Sequence, residues 1–160
     1  MRSDFIFLGI AAFLISSCSG GTGPTYHQAD IESHKVQLVI YHPAENIGSL
    51  HIGAGPDVKI NDVVACALPN GSYFVTSAKP GNISISSDKT MMIGTSHLTF
   101  RAQAGKRYYV RVTWSQTRAY TGLIGQAISG AANYGPFDIE IASEETALPE
   151  LANIKAAICR

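Results

Sequence analysis

Charge is scarce in this chain of 160 residues. Asp, Glu, Lys and Arg together make up 15% of it, and the 12 acidic residues balance the 12 basic ones. No basic field is present to hold a phosphate backbone and no acidic block is present to repel one, so nucleic-acid binding is not expected. No apolar run reaches the roughly 20 residues that a helix needs to cross a bilayer. Strands do not alternate with helical patterns, which argues against a parallel nucleotide-binding sheet. Apolar residues nevertheless make up 46% of the sequence, too many for intrinsic disorder. A single domain with a real core is expected.

The amino-terminal end carries the strongest pattern. Phe5 to Ile15 is an uninterrupted run of apolar and small residues behind Arg2. Its length is that of a secretory h-region and too short for a membrane span. Ile15-Ser16-Ser17-Cys18 follows, an aliphatic residue, two small ones and a cysteine. This resembles the bacterial lipobox. The resemblance implies cleavage before Cys18, a diacylglyceryl group on its thiol and an acylated new amino terminus. Ser19 in the next position, where Asp would imply retention, implies sorting to the outer membrane. The expected organisation is a signal peptide over 1–17, a lipidated flexible tether over 18–34 and one β-rich domain over 35–160. The tether reading rests on Ser19-Gly20-Gly21-Thr22-Gly23-Pro24, which has no large hydrophobic side chain.

Beyond Lys35 the chain alternates with a period of two, as half-buried strands do. Val36, Leu38 and Ile40 form one set. Val64, Cys66 and Leu68 form another, followed by Tyr73 with Val75, Ile83 with Ile85, and Leu98 with Phe100 and Ala102. Tyr108, Val110, Val112 and Trp114 alternate with Arg107, Tyr109, Arg111 and Thr113. In Phe137, Ile139 and Ile141 the polar Asp138 and Glu140 are expected to face outward. Pro69-Asn70-Gly71 suits a type I turn closed by a left-handed glycine, expected to join two strands as a hairpin. Pro80-Gly81 and Ala104-Gly105-Lys106 supply two more turns. The fold expected is mainly β: an antiparallel β-sandwich or small barrel of seven to eight strands with one C-terminal α-helix. For that helix Ala147, Leu151, Ile154 and Ile158 share a face, Ser143 is a candidate cap, and Pro149 places the regular start nearer Thr146.

Four segments in order carry a second resemblance: Leu68-Pro-Asn-Gly-Ser-Tyr-Phe74, Lys79-Pro-Gly81, Ala104-Gly-Lys-Arg-Tyr-Tyr-Val-Arg-Val112 and Ser143-Glu-Glu-Thr-Ala-Leu-Pro-Glu-Leu151. Together they resemble a domain-of-unknown-function family of small bacterial envelope lipoproteins, over roughly Val36 to Ala156. That family brings no activity, cofactor or catalytic residue with it.

Catalytic patterns fail on inspection. Gly125 to Gly130 has phosphate-loop spacing, but Ala131-Ala132 stand where Lys and Ser or Thr are needed. Gly53-Ala54-Gly55 lacks a third glycine and runs into Pro56. No Ser is framed as Gly-x-Ser-x-Gly. His27, His34, His42, His51 and His97 show no metal-binding spacing, so no metal, cofactor or catalytic residue is expected. With Cys18 used for lipid, Cys66 and Cys159 remain. They are a candidate disulfide, expected to tie a helix end to a strand; the alternative is a buried strand cysteine and a free terminal thiol. Tyr120 to Gly135 is glycine-rich, uncharged and apolar. Its Leu123, Ile124 and Ile128 are candidates for a partner-docking or lid loop, or for a plug over the end of the sandwich. Arg107, Tyr109 and Arg111 suit either a binding face or the solvated side of a strand.

The function expected from these residues is that of a lipid-anchored cell-envelope lipoprotein, at the outer membrane with its body facing the periplasm. Its sandwich acts as a non-catalytic interaction or structural module, with an envelope protein or glycan as possible partner. The alternative is a ligand-binding lipoprotein for a peptide, glycan or lipid.

Overall fold

A computed structural model of the chain describes residues 21–46, 55–88, 94–115 and 135–159. Cys18, the residues 1–17 expected to be a signal peptide, and the loop residues Leu123, Ile124 and Ile128 lie outside the described residues. The elements in chain order are β1 (Val36–His42), β2 (Asp57–Ile60), β3 (Val63–Ala67), β4 (Ser72–Ala78), β5 (Gly81–Asp88), β6 (Ser96–Ala102), β7 (Arg107–Trp114), β8 (Phe137–Ala142), α1 (Glu144–Leu151) and β9 (Lys155–Ala156).

Among the described residues the strands form two sheets, a five-stranded one in the order β8-β7-β1-β4-β9 and a four-stranded one in the order β3-β2-β5-β6. The fold is mainly β and sandwich-like, and neither sheet closes into a barrel. Between the sheets, Leu38, Ile40, Phe74, Val110 and Val112 pack against Val58, Cys66, Ile83 and Ile85. Most of these are alternating residues of the sequence, but on β4 the inward side chain is Phe74, with Tyr73 facing the helix and Val75 44% exposed, and Val58 lies on a strand that no alternation marks. Burying these inner side chains supplies the main drive to fold.

The pairing is mixed where an antiparallel arrangement was expected. β1 runs parallel to β7, with Ile40 opposite Val110, and β4 runs parallel to β9. The glycine turns explain this. Gly71 takes the positive φ expected of it, +69°, and Gly105 is likewise left-handed at +68°. Yet the turns at Gly71, Gly81 and Gly105 each carry the chain from one sheet to the other. Pro69-Asn70-Gly71 therefore closes no hairpin. A tight hairpin does occur earlier, between β2 and β3, at Asn61 (φ 49°) and Asp62 (φ 66°). Two successive left-handed residues are the signature of a type I′ turn, and Asn and Asp tolerate that region better than most side chains.

The five-stranded sheet is buried on both faces. Val39, Tyr41, Tyr73 and Tyr109 point away from the other sheet and pack beneath Ala147, Leu151, Ile154 and Tyr26. Helix α1 begins at the Ser143 cap, whose hydroxyl accepts the Thr146 N–H at 3.2 Å, with Glu144 and Glu145 favourably placed in its first turn. It starts two residues before Thr146 and ends at Leu151, so the four-residue face expected of it is cut short. Pro149 lies inside it and has no N–H to give to the preceding turn. Ile154 is buried beyond the helix, and Ile158, past β9, is 72% exposed.

The amino-terminal segment also departs from expectation. Gly23 N–H donates to Ala156 O at 3.0 Å, Ala156 N–H donates to Pro24 O at 2.9 Å, and the Tyr26 ring stands edge-on to Tyr73 at 5.4 Å. A Cβ on Gly21 would fall 2.3 Å from Lys155 O, and one on Gly23 would fall 2.7 Å from the Ala156 Cβ. Glycine serves close approach here rather than flexibility. Residues 21–26 of the stretch expected to be a tether thus lie against β9 and Tyr73, ahead of Lys35.

Each side of the sandwich is closed differently. On one side Ser96 Oγ donates to Phe137 O at 2.5 Å and accepts the Phe137 N–H at 3.3 Å, joining β6 to β8. On the other, Cys66 in β3 and Cys159 after β9 form a disulfide with Cα atoms 4.7 Å apart.

Candidate functional site

The densest polar cluster sits on the outer face of the five-stranded sheet. Register alone builds its base. Tyr73, Tyr41, Arg111 and Glu140 are successive partners across β4, β1, β7 and β8, forming one row. Helix α1 lays Glu150 over that row. Arg111 Nε donates to Glu150 Oε2 at 3.0 Å and Nη2 to Oε1 at 2.9 Å, a two-pronged contact that uses both carboxylate oxygens. Nη1 reaches Glu140 at 3.3 Å, and the Tyr41 hydroxyl donates to Glu150 Oε2 at 2.8 Å. These contacts raise the Arg111 guanidinium above its ordinary value, the Glu150 hydrogen bonds being the chief cause. Burial, with the bond to Glu150 second, pushes the Tyr41 phenol far up, so it stays a donor.

Beside the row, a shallow cleft of about 340 Å³ opens between the end of β1 and α1, rimmed by Pro43, Glu45, Arg111, Glu150 and Asn153. Glu45 is held by its backbone: its N–H donates to Asn70 Oδ1 and its carbonyl accepts from Asn70 Nδ2, both at 2.9 Å. Its Oε2 accepts the Trp114 N–H at 3.0 Å. His42, 2% exposed at the last position of β1, places Nε2 3.4 Å from the same oxygen, outside hydrogen-bond alignment. Its Nδ1 lies 3.5 Å from Leu68 O. Burial raises the Glu45 carboxyl, but the His42 ring, the Trp114 N–H and Arg111 outweigh it and hold the group below the ordinary value.

Chemically this is a latch. The guanidinium is met by two carboxylates and the phenol by one of them, so the strong donors are spent on holding α1 against the sheet. Glu45 and its neighbours tie the ends of β1 and β7 together in the same way. Among the described residues no cluster of three or more His, Cys, Asp and Glu side chains is placed to hold a metal ion, and no helix is long and apolar enough to cross a membrane.

Of the residues singled out in the sequence, Cys66 and Cys159 are brought together. The bridge does not start from a helix end: Cys159 lies beyond β9, so the bond links the edges of the two sheets. Arg107, Tyr109 and Arg111 do not form an open face. Tyr109 is 3% exposed, Arg107 donates to Gln37 Oε1 and Ala29 O, and Arg111 is covered by Glu150. Tyr41, Glu45 and Glu150 were not singled out. Nothing local marks them, because Tyr41 meets Arg111 only through a parallel pairing of distant strands.

Comparison with known proteins gives one family. Residues 32–124 match the family described as "Protein of unknown function (DUF2846)", a span running from before β1 to beyond β7. No curated protein matches the chain.

Proposed function

The chain belongs to the DUF2846 family, and from that premise we propose that it is a lipid-anchored protein of the bacterial cell envelope, carried at the outer membrane by Cys18, whose sandwich serves as a non-catalytic interaction or structural module. The observation that carries the reading is the Cys66–Cys159 disulfide, since such bonds persist in oxidising compartments such as the periplasm and are rare in the cytosol. The run Phe5 to Ile15 followed by Ile15-Ser16-Ser17-Cys18 supports export and acylation, and Ser19 supports onward sorting. More than one acyl chain gives durable membrane residence, at about 0.8 kcal/mol per buried CH₂. The polar cluster supports a passive body: its donors stabilise the fold and leave no nucleophile paired with a base.

The test is intact mass and detergent-phase fractionation of the expressed full-length protein beside Cys18→Ala. A triacylated chain starting at Cys18, partitioning with detergent and lost in the variant, is the expected result. A soluble, unacylated chain overturns the proposal. The second reading, a ligand-binding lipoprotein, is favoured by the cleft beside Glu45 and Arg111, at the lower end of the usual range of ligand-site volumes.

A further inference from the structure

We infer that the edge of the sandwich built from β3 and β9 rests on the lipid bilayer, with Val63, Val64 and Ile158 seated among the phospholipid headgroups and upper acyl chains. The inference rests on the reading of Cys18 as the lipid-bearing residue and says which face of the body that lipid presents to the membrane.

Three observations converge on this edge. The first is exposure. Ile158, Val63 and Val64 are 72%, 69% and 60% exposed, while the next most exposed large apolar side chains among the described residues, Val75 and Ile141, are at 44%. Leaving large apolar groups in water is unfavourable unless something covers them. The second is adjacency. Ile158 immediately precedes Cys159, which is bonded to Cys66 with Cα atoms 4.7 Å apart, and Val64 lies two residues before Cys66. Chain geometry therefore keeps the Ile158 and Val64 Cα atoms within about 16 Å of each other. Two segments remote in sequence, β3 and the chain just past β9, carry their exposed apolar residues along one edge, Val63 and Val64 on its two faces.

The third observation names the occupant. The amino-terminal chain meets the body at the same edge: Gly23 and Pro24 are hydrogen-bonded to Ala156, and Gly21 lies against Lys155 O. Cys18 is three residues before Gly21, so its Cα can be no more than about 11 Å from that point even in a fully extended chain. A lipid on Cys18 would thus hold the β9 edge close to the bilayer. The tether is too short to stand the body off.

The polar groups set the depth. Lys155 is exposed beside the exit of the chain and suits anionic headgroups. Asp62 is exposed at the β2–β3 turn next to Val63 and resists deeper entry. β3 is an edge strand whose outer backbone groups need partners, and hydrocarbon offers none. Side chains enter while the strand itself stays at headgroup level, where water and headgroups satisfy it.

The test uses full-length chains carrying Val64→Trp, Ile158→Trp or Thr99→Trp, expressed in a bacterial host and checked for acylation at Cys18 by intact mass. Each is reconstituted into vesicles of phosphatidylethanolamine and phosphatidylglycerol, with and without brominated acyl chains. The wild type, with Trp114, supplies the baseline. Both edge sites are already exposed, so neither substitution disturbs the core, and Thr99 lies on β6, three strands from β3 and about 14 Å away across the sheet. Brominated lipid is expected to lower the emission of the Val64 and Ile158 variants about twofold and to leave Thr99→Trp at baseline. An acylated protein with no quenching at the edge, or with equal quenching at Thr99, overturns the inference alone. An acylated protein whose edge is shielded from lipid by a cross-linkable second copy also overturns it. A chain without acyl groups overturns the lipoprotein reading and this inference with it.

Discussion

Arg111 in β7 and Glu150 in α1 meet through two parallel hydrogen bonds of 3.0 and 2.9 Å, which add a polar fastening to the apolar packing of Ala147 and Leu151 on the five-stranded sheet. The pair is only about a quarter exposed, and Tyr41 donates to the same carboxylate, so its donors have little water to turn to when it is broken. Glu150→Gln is expected to lower stability by about 1–3 kcal/mol, read as a lower urea midpoint with an unchanged slope. Glu140 also contacts Arg111, but its side chain is 60% exposed. Glu140→Gln should cost no more than about 0.5 kcal/mol. Equal costs would show that Glu150 is not the fastening group.

Glu45 makes stability depend on acid. Burial raises its carboxyl, but the His42 ring, the Trp114 N–H and Arg111 lower it further, so its folded value lies below the ordinary 4.5. A depressed folded value means that its contribution is complete above the unfolded value and is lost as pH falls through the folded one. Urea midpoints taken from about pH 7 down to about pH 3 should fall for the wild type, chiefly below about 4.5, and fall less steeply for Glu45→Gln.

The Cys66–Cys159 bond closes a loop with a sequence separation of 93. A cross-link over that length restricts the unfolded chain strongly, and replacing both cysteines by serine is expected to cost about 2–5 kcal/mol. The same loss should follow reduction of the wild type, and reductant should leave the double variant unchanged. Thermal melts with and without reductant make both measurements.

The β2–β3 turn can be improved. Asp62 sits at φ 66°, a conformation that glycine adopts freely and that Asp tolerates at a cost. Asp62→Gly converts the turn to Asn-Gly, the favoured type I′ pair, and should stabilise the protein by about 0.5 kcal/mol. Asp62→Val should destabilise it by about 1–2 kcal/mol, since a β-branched side chain clashes there. Urea titration of the two variants beside the wild type separates these outcomes.

Much of the local structure was legible because its causes are local. The alternation in β1 and β7 follows from side chains pointing to opposite faces of a strand, and it identified Leu38, Ile40, Val110 and Val112 as inner residues. The Ser143 cap and the positive φ of Gly71 were likewise readable from a few neighbouring residues. β2 was missed because Asp57–Ile60 is only four residues long, although Asn61-Asp62 was a usable turn signal. The helix ends about two turns before its apolar spacing predicts, because Ile154 and Ile158 continue that spacing after the chain has left the helix.

By itself, the sequence determined the mainly β class, the inward residues of β1 and β7, the helix cap and the glycine turns. Each of these depends on the dihedral preferences and side-chain character of adjacent residues. Only the tertiary structure decided which strands pair. Backbone hydrogen-bonding groups are the same at every residue but proline, so a turn at Gly71 does not say whether the next strand joins the same sheet or the other one. That choice rests on packing over the whole body. It set Tyr41 beside Arg111 and Glu150 above both, and it brought Cys159 to Cys66. It also turned a glycine-rich stretch that reads as a tether into a segment clasped against β9.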